Sequence, residues 1–285
     1  MSRKTLLASL LVVGGFAAVY ANVVVKLVHD WATDGNYSHG FLIVPLAAYF
    51  AWERRHRLQS AAAGRPGVLG FAVVVASLVV LAAGVLGSEL FLTRISMLGA
   101  IAGTTLFLFG SARLRVLAFP LAFLILMVPW PAIVFNQIAF PLQLLASRVG
   151  ELALGSLGVP VLREGNVLIL ASTTLEVADA CSGIRSLISL VTLGIVFGYF
   201  ADARRWARTA IALSTVPVAI VANGIRVAGT GIAASRFGPA AAEGVIHVCS
   251  GWLMFVASFL MLFGLQRLLA VIPRPSPRVD VHVAA

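Results

Sequence analysis

The sequence has 285 residues, of which 60% are hydrophobic and only 11% charged, and its formal net charge is +10. This composition excludes a soluble globular domain, because apolar runs long enough to cross roughly 30 Å of hydrocarbon recur along the whole chain. It predicts an all-α polytopic membrane protein that forms a single bundle over residues 1–270. The basic residues lie in short clusters between apolar runs, which is typical of topology signals and argues against nucleic-acid binding.

The apolar runs predict about eight transmembrane helices. The first is interpreted as a retained helix, because its apolar run continues to Val28 without a clear small-residue cleavage site for a signal peptidase. The basic clusters "ERRHR", "SARLR" and "ARRWAR" mark cytoplasmic loops and place both termini inside. A Pro-rich segment over residues 271–285 is expected to be a disordered cytoplasmic tail. The predicted spans are residues 5–25, 38–53, 67–87, 93–110, 115–135, 184–201, 207–230 and 246–269.

One long outer segment, from Asn136 to Ala180, separates the fifth and sixth spans. Its first half has apolar residues at helical spacing and few charges, which favours a helix along the membrane surface. Its second half has short β-branched runs divided by Glu-Gly-Asn and Ala-Ser-Thr-Thr, which predicts a small hairpin or meander. This extended element ends just before the sixth helix.

Three residues with side chains that are common in active sites have the same predicted depth in the membrane. Cys181, Arg226 and His247 lie 23, 18 and 20 residues from the basic residue at the cytoplasmic end of their helices. At about 1.5 Å per residue these separations correspond to about 34, 27 and 30 Å, each close to one bilayer thickness. The three residues are therefore predicted to meet the outer interface from three different helices.

This trio could perform cysteine acyl transfer. A thiol becomes a good nucleophile as a thiolate, which the N-terminus of the sixth helix and Arg185 would favour at Cys181. His247 can take or give the proton, and Arg226 can hold the carbonyl oxygen as it becomes an oxyanion. The pattern requires no metal and no cofactor. A Cys181–Cys249 disulfide at the outer face is a further possibility.

Other functions remain open at this point. A transporter or flippase could use Arg226 and His247 to line the path of an anionic substrate. A lipid-linked glycosyltransferase could use Asp30 and Asp34 in an outer loop. A metal hydrolase built on His39, His247 and a cysteine is less favoured, because no HExxH or paired-cysteine spacing is present.

The sequence resembles the exosortase/archaeosortase family. The resemblance rests on "REGNVLIL" and "LEVADACSGIRSL", on "NGIRV", on "IHVCSGW", and on the earlier motif "GNYSHGFLIVP", and it extends from Trp31 to Trp252. The resemblance implies a multi-pass cysteine peptidase or transpeptidase of the bacterial inner membrane, with its active site facing the periplasm. It also implies substrates that are secreted proteins ending in a Pro-Glu-Pro-type motif, an apolar helix and a basic tail.

The resemblance assigns roles to the same trio. It makes Cys181 the nucleophile, Arg226 the Arg of the Asn-Gly-Ile-Arg block and His247 the His of the last block. Five further residues fall within matching motifs and are expected to support the site or bind substrate, namely Arg185, Asn223, Tyr37, Ser38 and His39.

Overall fold

A computed structural model of the protein describes residues 3–35, 37–62, 64, 67–171, 173–177, 183–238 and 245–272. The chain divides into two compact units, Met1–Asn136 and Gln137–Ala285. The expectation of one bundle over residues 1–270 stays a prediction. The predicted tail covers residues 271–285, of which Val271 is the last residue of a helix and residues 273–285 lie outside the described residues.

The first unit is built from helices and one 3-10 turn. In chain order these are α1 Arg3–Thr33, α2 Gly40–Glu53, α3 Arg55–Ser60, α4 Val68–Leu86, α5 Leu90–Phe123 and the 3-10 turn Leu124–Met127. Helices α4 and α5 form a close hairpin in which glycines let the backbones approach. A Cβ atom on Gly70 would lie 2.4 Å from the backbone nitrogen of Phe107, and one on Gly103 would lie 2.9 Å from that of Val74.

The helical path of α5 is broken at Gly110. This residue has φ 82° and ψ 173°, a conformation that glycine adopts without a steric penalty. It packs directly on Gly64, whose N–H donates to the Phe109 carbonyl oxygen at 3.2 Å. The break coincides with the predicted end of the fourth span at residue 110.

The second unit combines long helices with a small sheet. Its elements are α6 Ala132–Ser156, β1 Val161–Glu164, β2 Val167–Leu170, β3 Thr174–Glu176, α7 Gly183–Ala201, α8 Arg205–Phe237 and α9 Val245–Val271. The strands form an antiparallel sheet in the order β1-β2-β3. The sheet packs against α6 and α8 through a cluster that includes Leu154, Leu168, Val177 and Val227.

The predicted fold class is confirmed, with boundaries that differ in places. Among the described residues, six helices are long and apolar enough to cross a membrane, and the apolar helices Gly40–Glu53 and Ile188–Ala201 are shorter. The predicted span 115–135 is interrupted, because the helix ends in the 3-10 turn and α6 begins only at Ala132. The predicted surface helix is α6, which is among the six, so its placement along the membrane surface stays a prediction.

One end of the second unit is fixed by Arg204, in the turn between α7 and α8. Its guanidinium forms an ion pair with Asp202 at 2.6 Å and donates to the carbonyl oxygens of Leu269 and Ile272 at the end of α9. Gln266 adds a hydrogen bond from α9 to the last carbonyl of α7, at Ala201. The ends of three helices therefore lie at the same level.

Candidate functional site

A polar stripe runs along the buried face of α8. Asn223, Arg226 and Thr230 follow each other at spacings of three and four residues, so they share one side of the helix. Each is only 7% exposed, in a helix otherwise rich in apolar and small residues. A charge within a membrane helix costs up to about 3 kcal/mol, so a buried arginine here marks a functional candidate.

The guanidinium of Arg226 reaches α9. A methyl group added to Gly251 would lie 4.0 Å from Nη2 of Arg226, so the guanidinium lies directly beside the glycine. Residue 247 precedes Gly251 by four positions and therefore shares its face, one turn nearer the start of α9. Met254 and Ser258 are buried and continue this face along the helix. The structure thus brings Arg226 to the side of α9 that carries position 247.

Asn223 adds an acceptor to this region. Its carboxamide oxygen is buried, and it has no hydrogen-bond partner among the residues that the structure describes. A buried polar atom without a partner is costly, typically by about 1–3 kcal/mol. The oxygen is therefore suited to accept from an N–H that arrives with a ligand or with the residues around the site.

Helix α6 packs closely against α8 next to the polar stripe. A Cβ atom on Gly224 would lie 2.3 Å from Cγ1 of Val149, and one on Gly150 would lie 2.8 Å from Cγ1 of Val227. Two glycines on facing helices thus allow a close approach on either side of Arg226 in sequence. Larger residues at either position would push α8 away and move the guanidinium with it.

The predicted nucleophile and two of its neighbours are only partly covered by the structure. Cys181 lies outside the described residues, whereas Arg185 and His247 are described as helical positions without their side chains. Val177 is the last described residue before Cys181, and Gly183 is the first described residue after it. Val177 is fully buried in the same cluster as Val227 and Ala228.

The other predicted site residues lie in the first unit, in the turn between α1 and α2. Nε2 of His39 donates to the Leu126 carbonyl oxygen at 3.2 Å, and the hydroxyl of Ser38 donates to the Gly35 carbonyl oxygen at 3.2 Å. The Tyr37 ring lies beside the His39 ring, with centroids 6.4 Å apart. Tyr37 and His39 are half-buried and Ser38 is exposed, so the turn presents one hydroxyl to the surface.

The phenol of Tyr37 stays neutral at physiological pH. Burial raises its pKa above the ordinary value of 10.0, and a hydrogen bond with the Trp130 backbone opposes this only in part. Tyr37 can therefore donate or accept a hydrogen bond, but it does not supply a negative charge.

The turn is held by contacts between residues that are far apart in the sequence, and the sequence did not predict these contacts. Nε1 of Trp31 donates to the Met127 carbonyl oxygen at 3.0 Å, and a Cβ atom on Gly40 would collide with the Trp31 indole at 2.3 Å. Arg94, only 2% exposed, pairs with Asp30 at 2.5 Å. The sequence indicates this ion pair only by the presence of an arginine inside the apolar run "ELFLTRISML".

Among the described residues, no three His, Cys, Asp or Glu side chains lie close enough to hold a metal ion. The polar side chains of the described part of the site include the guanidinium of Arg226 and the carboxamide of Asn223. Both groups bind carbonyl or carboxylate oxygens and peptide groups. The arrangement therefore suits recognition of a polypeptide carbonyl.

The comparisons with known proteins give one family match. A family model described as transmembrane exosortase matches residues 31–264. No curated protein and no solved structure matches the chain.

Proposed function

Because the chain belongs to the transmembrane exosortase family, we propose that it is a membrane-embedded cysteine peptidase or transpeptidase. Its substrates are secreted proteins with a C-terminal Pro-Glu-Pro-type motif, an apolar helix and a basic tail. It cleaves them at the outer face of a bacterial inner membrane, with both of its own termini in the cytoplasm.

The observation that carries the proposal is the position of the Arg226 guanidinium. This buried cation lies beside Gly251, on the face of α9 that carries position 247. Val177, which is four residues before Cys181, packs in the cluster that contains Val227. These two facts support a site in which the thiol, the imidazole and the guanidinium act on one carbonyl group.

The depth of this region also supports the proposal. Measured from the Arg204 turn, Arg226 lies 22 residues along α8, or about 33 Å, and Gly251 lies 18 residues from Leu269, or about 27 Å. Both distances are close to the thickness of a bilayer. If the Arg-rich turn is cytoplasmic, as the positive-inside rule predicts, the candidate site lies at the outer interface.

The reaction has two stages. The Cys181 thiolate attacks the scissile carbonyl carbon, forming a C–S bond, and Arg226 stabilises the negative oxygen that develops. The C–N bond then breaks, and the leaving amine takes a proton from His247. In the second stage water or an amine attacks the thioester with His247 as base, a C–O or C–N bond forms, and the thiolate leaves.

Asn223 has a supporting role in this proposal. Its buried carboxamide oxygen can accept from the imidazole N–H or from a substrate N–H. In the first case it would hold the ring of His247 in one orientation. In the second case it would fix the substrate backbone relative to the guanidinium.

The proposal is tested by co-expression with a reporter protein that ends in such a sorting tail. The wild-type protein should shorten the reporter, and Cys181→Ala should leave it at full length. Cys249→Ala is the matched control, because it removes the other cysteine of the chain, and it should still process the reporter. Equal processing by Cys181→Ala and the wild type would refute the cysteine mechanism.

A further inference from the structure

Strand β3 forms one edge of the sheet, and this edge lies just before the candidate nucleophile in the chain. Among the described residues, β3 pairs with β2 and with no other strand. Its last residue, Glu176, precedes Cys181 by five positions. The backbone groups that face away from β2 are therefore close in sequence to the predicted site of chemistry.

The hydrogen bonds of the sheet show which groups face this edge. The Leu170 N–H donates to the Thr173 carbonyl oxygen at 2.8 Å, and the Val177 N–H donates to the Asn166 carbonyl oxygen at 2.9 Å. Antiparallel pairs alternate between hydrogen-bonded and non-hydrogen-bonded. The intervening bonded residue of β3 is therefore Leu175, whose N–H and C=O point towards β2.

Thr174 and Glu176 occupy the alternate positions. They lie opposite Ile169 and Val167, in non-hydrogen-bonded pairs. The N–H and C=O groups of Thr174 and Glu176 thus point to the open edge. These two residues offer two donors and two acceptors in the spacing that an additional strand requires.

The strand is fixed while its edge residues remain accessible. Leu175 and Val177 are buried in the cluster with α6 and α8. The side chains of Thr174 and Glu176 are exposed, as expected for the opposite face of the same strand. The open edge therefore belongs to a well-anchored strand, which makes it a preformed template for β-strand addition.

We propose that this edge binds the extended segment of the substrate that precedes its scissile bond, by parallel β-strand addition. This inference rests on the proposed function. The groups on the edge are backbone donors and acceptors at the two-residue spacing of a strand, which matches the backbone of an extended polypeptide. Both β3 and a tail-anchored substrate run from the outside into a membrane helix, so the two chains point in the same direction.

Parallel pairing uses the backbone N–H groups of every second residue of the substrate. The C=O of Thr174 and the C=O of Glu176 each accept from a substrate N–H, and these two N–H groups belong to residues two positions apart. The substrate residue between them turns its own N–H away. Prolines at every second position can therefore be accommodated, because they lack only the N–H groups that are not used.

The sharpest test leaves the protein unchanged. The full-length protein in proteoliposomes is given synthetic sorting peptides, each consisting of motif, apolar helix and basic tail, with one N-methylated peptide bond moved stepwise through the segment before the cleavage site. We expect kcat/KM to fall at least tenfold at alternate positions and by less than twofold between them. Sensitivity without a period of two residues would refute strand addition.

A second arm changes the edge itself. Glu176→Pro removes an outward N–H without removing a bond to β2, and Glu176→Ala removes the same side chain but keeps the N–H. The proline variant should lose at least fivefold more kcat/KM than the alanine variant, at equal melting temperature in detergent. Equal losses in the two variants would contradict the inference.

The two proposals can fail separately. If the wild-type protein does not cleave the unmodified peptide, the proposed function fails and strand addition falls with it. If cleavage occurs and depends on Cys181 but shows no alternation along the peptide, the peptidase assignment stands and strand addition alone is wrong.

Discussion

Each unit of the protein buries an arginine, and the surroundings of the two arginines differ. Arg94 in the first unit is paired with the Asp30 carboxylate at 2.5 Å, so its charge is balanced within the fold. Arg226 in the second unit lies beside Gly251 and in the same stripe as Asn223, whose carboxamide oxygen has no hydrogen-bond partner among the described residues. An arginine held by a carboxylate stabilises the structure, whereas Arg226 is the arginine for which we propose a role in acting on a substrate carbonyl.

The comparison predicts that Arg226 variants lose turnover and keep the fold. In Arg226→Gln the oxyanion would lose a charged donor, and we expect kcat to fall by at least about 100-fold. Arg226→Lys should recover only part of this loss, because an ammonium lacks the planar fork of the guanidinium. Reporter processing gives the rate, and thermal unfolding in detergent checks the fold. A melting temperature that falls together with activity would contradict the assignment.

Gly251 supplies the control for this prediction. Gly251→Ala brings a methyl group to ordinary contact distance of the guanidinium, at 4.0 Å, and should change turnover by less than about twofold. Gly251→Leu would displace the guanidinium and should lower turnover at least tenfold without a change in Arg226 itself. Equal activity in the alanine and leucine variants would show that the position of the guanidinium does not matter.

Arg94 should behave in the opposite way. Asp30→Asn leaves the buried guanidinium without its carboxylate, and breaking a buried ion pair costs about 3–5 kcal/mol. Since Asp30 is 30% exposed, the lower end of that range is expected. The amount of folded protein should fall, while processing per folded molecule remains within about threefold of the wild type. The double variant Asp30→Asn with Arg94→Met should recover stability, and failure to do so would rule out the ion pair as the cause.

The sequence predicted the helices better than their ends. The break at Gly110 could be placed because the apolar run ends there, but the helix end before residue 128 could not. At that end the carbonyl groups of Leu126 and Met127 are taken by His39 and Trp31, which lie 87 and 96 residues away. The sequence around residues 124–128 does not indicate hydrogen-bond partners that lie so far away along the chain.

The candidate site could likewise be predicted from the sequence only in part. A fixed helical rise predicts that Arg226 and position 247 have a similar depth. It could not show that the guanidinium reaches α9 at Gly251, because that contact depends on how closely two helices approach. The Asp30–Arg94 pair could not be predicted for a similar reason, since its members lie 64 residues apart and on two different helices, α1 and α5.

The smallest predicted effect concerns Tyr37, which belongs to the turn held by the first unit. Its pKa is raised above 10.0 mainly by burial, so above that pH the folded protein holds a proton that the unfolded chain has released. Stability should therefore fall as pH rises from about 10 through the folded pKa, and it should be unaffected by this group below pH 9. Tyr37→Phe should reduce this alkaline loss, and unfolding in detergent between pH 8 and 11 measures the difference. Since the phenol remains neutral near pH 7, the same variant should leave the pH dependence of reporter processing between pH 6 and 9 unchanged. An altered profile in that range would mean that Tyr37 takes part in proton transfer and is not confined to hydrogen bonding.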